Sequence, residues 1–357
     1  MQFDPSFLSV LNVLASSGAF MLGLLFLTAK SNNSKANIYL GLFLWSLGIE
    51  IFDALSESFS EDYIGIPTTS LFTIPLILLY VNRTINIKFK KWYPLLFLPG
   101  VIANFLLYSD DYFEYLFPLE YFFNIVVLLY MLKVLKHHKA SVNNFYSDPE
   151  NKALVWIKAI VFIYLGFHLL WIIEDIVGAF DIGVGEYFAV VSTILTFFMV
   201  YWIGHNGFSQ NEIFKKGLFT THTKDNEERS TKPDVQRDFS LKESEKFEMI
   251  KDRILNERLF ANPKLNLRSL SDFLEIKEKE LSKIINLHSE NNFYHFINSF
   301  RIVEFKKLLQ SPKRQQFSTL GLAQEAGFSS KSTFYSAFKT IEGMTPMEYK
   351  QSLKESE

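Results

Sequence analysis

LAQEAGFSSKSTFYSAFKTIEGMTPMEYK, residues 322–350, decides the fold of the C-terminal part of this chain. Leu322 and Ala323 are the apolar residues of a short helix that ends at Gly327, where the chain needs a positive φ and glycine takes it without strain. Phe328 fills the turn, and Ser329 or Ser330 caps the helix that follows. Phe334, Ala337, Phe338 and Ile341 recur on its inner face at three- and four-residue steps. Its outward stripe is Lys331, Ser332, Tyr335, Ser336 and Lys339. Two short helices meeting at a tight glycine turn form a helix-turn-helix.

The same pattern stands earlier in the chain. After Asn262 and Pro263, the residues Leu267, Leu270, Phe273 and Leu274 share one helical face, Ile276 closes a turn, and Leu281, Ile284 and Ile285 form the buried face of the next helix. Opposite them stand Lys279, Ser282, Lys283 and Asn286, at i, i+3, i+4 and i+7. A longer helix, predicted over 293–309, joins the two units, with Phe296, Ile297, Phe300, Phe305 and Leu308 inward and Arg301, Lys306 and Lys307 outward. Ahead of both, Ser240 to Glu243 has the Ser-x-x-Glu form of a capping box, and Phe247, Ile250, Ile254 and Leu255 continue at helical spacing. At this level a solvated charged face accounts for the Lys and Ser stripes as well as a binding face does.

These residues carry a resemblance. Residues 322–350 resemble the second helix-turn-helix of the AraC/XylS family of bacterial transcription regulators, through Ala323, Gly327, Phe328, Ser330, Phe334, Phe338, Lys339, Gly343, Thr345, Pro346 and Tyr349. LRSLSDFLEIKEKELSKIIN (267–286) and FYHFINSFRIVEFKKLL (293–309) are similar to that family's first unit and its connecting helix, so the likeness extends over residues 250 to 350. It implies a domain that lays two recognition helices into successive major grooves of double-stranded DNA, about 34 Å apart. Carried over by position, Lys279, Ser282 and Lys283 meet base edges or nearby phosphates from the first recognition helix, and Lys331, Ser332, Tyr335 and Ser336 do so from the second. Lys339 and Arg301 are placed as backbone contacts that fix register without reading sequence. Glu278 and Glu280 depart from a purely basic reader.

Outward from this domain, composition changes. Of the 36 Lys and Arg only 11 precede residue 204, against 16 of the 38 Asp and Glu, so a net charge of −2 conceals an acidic, apolar N-terminal part and a basic C-terminal one. Crossing about 30 Å of hydrocarbon takes roughly 17 to 25 apolar residues. Seven segments are predicted as spans, at 7–29, 36–53, 64–81, 93–108, 112–132, 155–177 and 187–203, the fourth weakened by Pro94 and Pro99 and parted from the fifth by Ser109, Asp110 and Asp111. Lys and Arg alternate strictly between the connections: Lys30 and Lys35, then Arg83, Lys88, Lys90 and Lys91, then Lys133, Lys136, Lys139 and Lys152, with none in the connections between. Basic loops mark the cytoplasmic side, so the alternation predicts a multi-pass protein of the bacterial cytoplasmic membrane with its N-terminus outside and its C-terminus in the cytoplasm. The five Trp lie in this part, mostly near span ends, as interface anchors do.

Acidic residues of this part fall on the outer side, except Asp148 and Glu150. Glu50 and Asp53 close the second span, Glu120 sits in the outer half of the fifth, Glu174 and Asp175 close the sixth, and His168 lies deeper on that span. Ionisable groups at membrane depth are costly and point by default into a bundle or a wet cavity. Two accounts stand side by side: an outward pocket for a small ligand or cation, or carboxylates that reach the aqueous interface. Residues 204 to 240, polar and mixed in charge, are expected to be a flexible tether to a DNA-binding domain at 241–357.

The expectation is therefore an all-α protein: a seven-helix transmembrane bundle at 1–203, a linker, and a cytoplasmic domain of two helix-turn-helix units. With no cysteine, disulfides, thiolate metal sites and cysteine nucleophiles are excluded. No HExxH, Walker A loop, histidine-kinase box or receiver-like acidic cluster occurs, and no cofactor, metal or catalytic activity is expected. Taken with the resemblance, these features make a membrane-embedded one-component regulator that binds DNA, with coupling expected to act through a homodimer that sets the spacing of two DNA-binding domains. Two other classes stay open: a small-molecule receptor or transporter whose helical tail docks a protein partner, and an intramembrane hydrolase using His168 with the nearby carboxylates.

Overall fold

The computed structural model describes residues 5–29, 34–57, 69–106, 113–149, 154–178, 185–214, 236–312 and 316–355. They are almost wholly helical, and the one β-type pairing among them is an isolated bridge between Tyr146 and Asn266. The chain forms two compact units: residues 1–135 with 156–222, and residues 136–155 with 223–357.

The first unit contains α1 (Pro5–Thr28), α2 (Ser34–Glu57), α3 (Ser70–Thr84), a 3-10 turn (Tyr93–Phe97) running into α4 (Leu98–Leu106), most of α5 (Phe113–Asn143), α6 (Val155–Gly178) and α7 (Gly185–Phe214). Five of these helices, α1, α2, α5, α6 and α7, are long and apolar enough to cross a membrane. Among the described residues, five of the seven expected spans are met by such helices, and parts of the spans expected at 64–81, 93–108 and 112–132 lie outside the described residues. The 15 residues of α3 rise only about 22 Å, short of the hydrocarbon thickness, and the apolar stretch Tyr93–Phe105 is also short. Large apolar side chains such as Phe105, Phe122 and Phe198 face outward, an arrangement that suits lipid and not water.

Small residues bring α1 and α2 together. A Cβ added to Gly23 would stand 2.9 Å from the Gly41 carbonyl, and one on Gly41 would stand 2.8 Å from that of Gly23, so the backbones meet where no side chain fits. Ser16 donates to the Gly48 carbonyl at 2.9 Å and Trp45 to that of Phe20 at 3.1 Å, which satisfies polar groups that lipid cannot. The α7 helix continues to Phe214, past the expected end of the apolar part at 203, and residues 215–235 of the expected tether lie outside the described residues.

In the second unit, α8 (Gln236–Asn256) starts before Ser240, so the capping-box residues sit inside a helix and not at its beginning. Then come α9 (Leu267–Leu274) and α10 (Glu278–Ser289), the connecting helix α11 (Phe293–Gln310), α12 (Thr319–Glu325), α13 (Lys331–Glu342) and α14 (Pro346–Glu355). One end of α11 joins a core of Phe247, Ile250, Ile254, Leu270, Leu281, Ile284, Phe296 and Ile297. Its other end joins a second core of Ile302, Phe305, Leu309, Leu322, Phe328, Phe334 and Phe338. One helix therefore holds both helix-turn-helix units, as the apolar spacing predicts. Phe305 packs at 4.8 Å from Phe334 in a tilted contact and at 5.7 Å edge-on against Phe338, and each such side chain contributes about 1.5 to 3 kcal/mol by leaving water.

The two turns are built differently. Gly327 has φ +101°, and a Cβ there would lie 2.6 Å from the Phe260 carbonyl oxygen and 2.7 Å from the Ala261 Cα. Glu275 makes the first turn at φ +57°.

Candidate nucleic-acid interface and candidate sensing cavity

The second recognition helix, α13, is started by Ser330, whose hydroxyl accepts from the Thr333 amide at 3.1 Å, and is ended by Gly343 at φ +76°. Phe334, Ala337 and Phe338 are buried beneath it. Lys331, Ser332, Ser336 and Lys339 are exposed and Tyr335 is half-buried, with the Lys331 ammonium 5.5 Å above the Tyr335 ring. This gives α13 an outer face of cations, hydroxyls and one aromatic edge, suited to phosphates and base edges. Ile341, expected inside, is 36% exposed.

On α10, Lys279 and Lys283 are exposed and Ser282 is half-buried. Two ion pairs tie this helix to α8: Lys283 to Glu243 at 2.7 Å and Lys246 to Glu280 at 2.6 Å. Exposed pairs of this kind contribute little to stability, but they set α8 beside the first reading face. Glu280, which departed from a basic reader, is held below the usual carboxylate range by its hydrogen bond to Lys246.

Arg301 corrects the sequence expectation. It does not face outward as a backbone contact; it is 0% exposed. Its Nε donates to the Phe260 carbonyl at 2.7 Å, Nη1 to Asn298 Oδ1 at 3.0 Å, and Nη2 to the Asn262 carbonyl at 2.8 Å and to Ser147 Oγ at 3.1 Å. The Phe328 ring lies 5.7 Å from the guanidinium. Burial pushes its pKa down to about 10, partly opposed by Asp148, so it is still a cation at neutral pH. Helical spacing alone placed Arg301 beside Lys307 on a solvated face, because it cannot foresee a second chain segment covering that face.

That segment is the connection between α5 and α6. Ser147 is 0% exposed, and the Asp148 carboxylate accepts from Thr333 Oγ1 at 2.8 Å and from the Ser329 hydroxyl. Neither residue was singled out as functional. The one signal in the sequence was that Asp148 and Glu150 break the rule that acidic residues lie on the outer side.

In the first unit, Glu50, Asp53, Glu120, Glu174 and Asp175 line one cavity of about 710 Å³. Sequence reasoning named these five but not the rest of the wall, which includes Asn12, Ser70, Tyr121, Tyr164, Phe167 and Trp171. Thr73 donates to Glu50 at 2.6 Å, Ser70 donates to one oxygen of Glu120, and the Tyr121 hydroxyl donates to Asp175 at 3.2 Å. The other Glu120 oxygen and the Tyr164 hydroxyl are buried without a hydrogen-bond partner. Among the described residues the wall holds no Lys or Arg. His168 does not line the cavity: it is buried behind the wall, Nδ1 at 2.7 Å from the Tyr164 carbonyl, its ring 5.5 Å from Trp171 and 6.0 Å from Tyr121. Among the described residues no group of three or more His, Asp or Glu is placed to hold a metal ion.

Two helix-turn-helix units hung on one connecting helix, each with a polar outer face, define a DNA-binding module. Residues 270–352 match the family described as Helix-turn-helix domain, and this stretch is an AraC-type DNA-binding domain, a class of regulator domain and not an enzyme family. Neither a curated protein nor a solved structure matches the chain.

Proposed function

We propose that this chain is a membrane-embedded one-component transcription regulator. Its apolar helices hold it in the bacterial cytoplasmic membrane, with the N-terminus outside, and its C-terminal unit binds double-stranded DNA sequence-specifically from the cytoplasmic side. The observation that carries this is the presence, in one chain, of five helices fit to cross a membrane and an AraC-type domain with the exposed stripe of Lys331, Ser332, Ser336 and Lys339. Lys279, Ser282 and Lys283 supply the first reading face, and Lys339 fixes register on phosphate. The domain match counts against a receptor or transporter whose tail only docks a protein. Chromatin immunoprecipitation with the intact protein tests the reading: discrete fragments are enriched, and a uniform background overturns it.

The cavity is the sensing site in this proposal. Among the described residues its wall offers five carboxylates, aromatic faces and no Lys or Arg, so the ligand is cationic. Among the described residues no His, Asp or Glu cluster is placed to hold a metal, and the volume lies within the range of small-molecule pockets; both favour an organic amine over a bare metal ion. Such a ligand changes DNA binding only through its different affinity for two arrangements of the helices, including a homodimer and its monomer. The triple change Glu50→Gln, Glu120→Gln and Glu174→Gln tests it. Reporter output and crosslinked dimer that stay at wild-type levels across external amines, cations and pH refute sensing at this site.

A further inference from the structure

The tetrapeptide Phe145–Asp148 lies in the connection between α5 and α6 and also belongs to the compact unit that carries both helix-turn-helix motifs. Its backbone is fastened to the strand-like entry to α9. The Leu267 amide donates to the Phe145 carbonyl at 2.8 Å, and Tyr146 pairs antiparallel with Asn266. The buried Ser147 hydroxyl donates to the Leu265 carbonyl at 2.6 Å and accepts from Arg301, while the Ser147 carbonyl accepts from Asn298 Nδ2 at 3.1 Å. One residue on, the Asp148 carboxylate takes the hydroxyls of Ser329 and Thr333, which flank the helix cap Ser330 at the positive end of α13. Four residues thus grip the entry to the first unit, the buried cation of the connecting helix and the start of the second recognition helix.

The kinds of contact differ in what they specify. Beneath α13 the packing of Phe334 and Phe338 on Phe305 is apolar and non-directional, so it tolerates small rotations and slides of the helix. Hydrogen bonds to Ser329 and Thr333 are directional and pin its first turn. Two recognition helices enter successive major grooves together only if their relative register is held.

We propose that Ser147 and Asp148 are positioning residues for DNA binding: they set the register of the second recognition helix, and a displacement of α5 or α6 reaches it through them. The inference rests on the DNA-binding function proposed above. It makes the α5–α6 connection, rather than the stretch that follows α7, the route by which the membrane helices act on DNA. Chain continuity alone supplies the linkage, because Asp148 lies five residues after the last residue of α5.

The test uses the full-length protein in lipid nanodiscs and a duplex selected by the wild-type protein from a randomised pool. Asp148→Ala should weaken binding about tenfold or more, equivalent to 1.4 kcal/mol. Its footprint should lose the half-site read by α13 and keep the one read by α10, with helicity unchanged. Asp148→Asn, whose Oδ1 still accepts from one hydroxyl while its Nδ2 donates to the oxygen of the other, should regain most of the affinity. Unchanged affinity and footprint for Asp148→Ala overturn the inference, as does loss of both half-sites together with helicity, which marks a mere structural staple. Because the chain has no cysteine, the pair Asp148→Cys and Ser329→Cys gives a second measurement. Oxidation should restore the α13 half-site and reduction should release it, and identical footprints in both states refute the positioning role. A wild-type protein that selects no duplex at all refutes the DNA-binding function instead, and this inference with it.

Discussion

Arg301→Ala separates a buried anchor from a phosphate contact. The guanidinium donates to four acceptors between 2.7 and 3.1 Å. A hydrogen bond to a charged group contributes about 1.5 to 3 kcal/mol net, and removing one partner of a buried charged network costs about 3 to 5 kcal/mol once desolvation of the ion is set against it. Ser147 keeps its bond to the Leu265 carbonyl, so the cost falls mainly on the carbonyls of Phe260 and Asn262, which lose the guanidinium as a donor. At 1.4 kcal/mol for each factor of ten, amides of α11 to α13 should exchange with solvent deuterium about a hundredfold to a few thousandfold faster where exchange follows opening of this unit. The assay is hydrogen exchange on the full-length protein without DNA. If exchange stays within about threefold of wild type while DNA affinity falls and its salt slope drops by about one, Arg301 is a phosphate contact and the burial argument is wrong.

Gly327→Ala should destabilise the second helix-turn-helix by more than about 1 kcal/mol, because a Cβ would meet the Phe260 carbonyl oxygen at 2.6 Å in a left-handed conformation; urea unfolding followed by tryptophan-independent circular dichroism at helical wavelengths checks it. Lys339→Ala should weaken binding to all duplexes alike and lower the salt slope by about one, whereas Lys331→Ala or Tyr335→Ala should change base preference by about 1 to 3 kcal/mol, as read by binding to a panel of single-base variants. A reporter active only in the cytoplasm should work when fused after Glu357 and fail when fused near Asp181; the reverse pattern overturns the orientation drawn from the Lys and Arg alternation.

Much of the domain was legible in its residues, for a local reason. Gly327, the serine cap and the spacing of Phe334 and Phe338 act within a turn or two of helix, and the structure has the positive φ, the cap at Ser330 and the buried rings where these residues require them. The five carboxylates were also legible as a set, because ionisable groups are rare among apolar runs; that they line one cavity with Tyr121, Tyr164 and Trp171 follows from packing between helices far apart in the chain.

What the sequence by itself determined, then, is whatever short-range physics decides: helices, caps, turns, apolar length and the change in composition near residue 204. The count of membrane-crossing helices was less secure, since α3 is apolar by composition yet only 15 residues long. Only the tertiary structure decided the fate of Arg301 and Asp148. Each sits on a segment whose local pattern reads as solvated, and each is held by a partner more than 150 residues away: Arg301, buried, by Ser147, and Asp148, half-buried, by Thr333. Periodicity reports which face of a helix is apolar, but a charged side chain is buried by the donors and acceptors brought to it, and those are assembled only when the chain has folded.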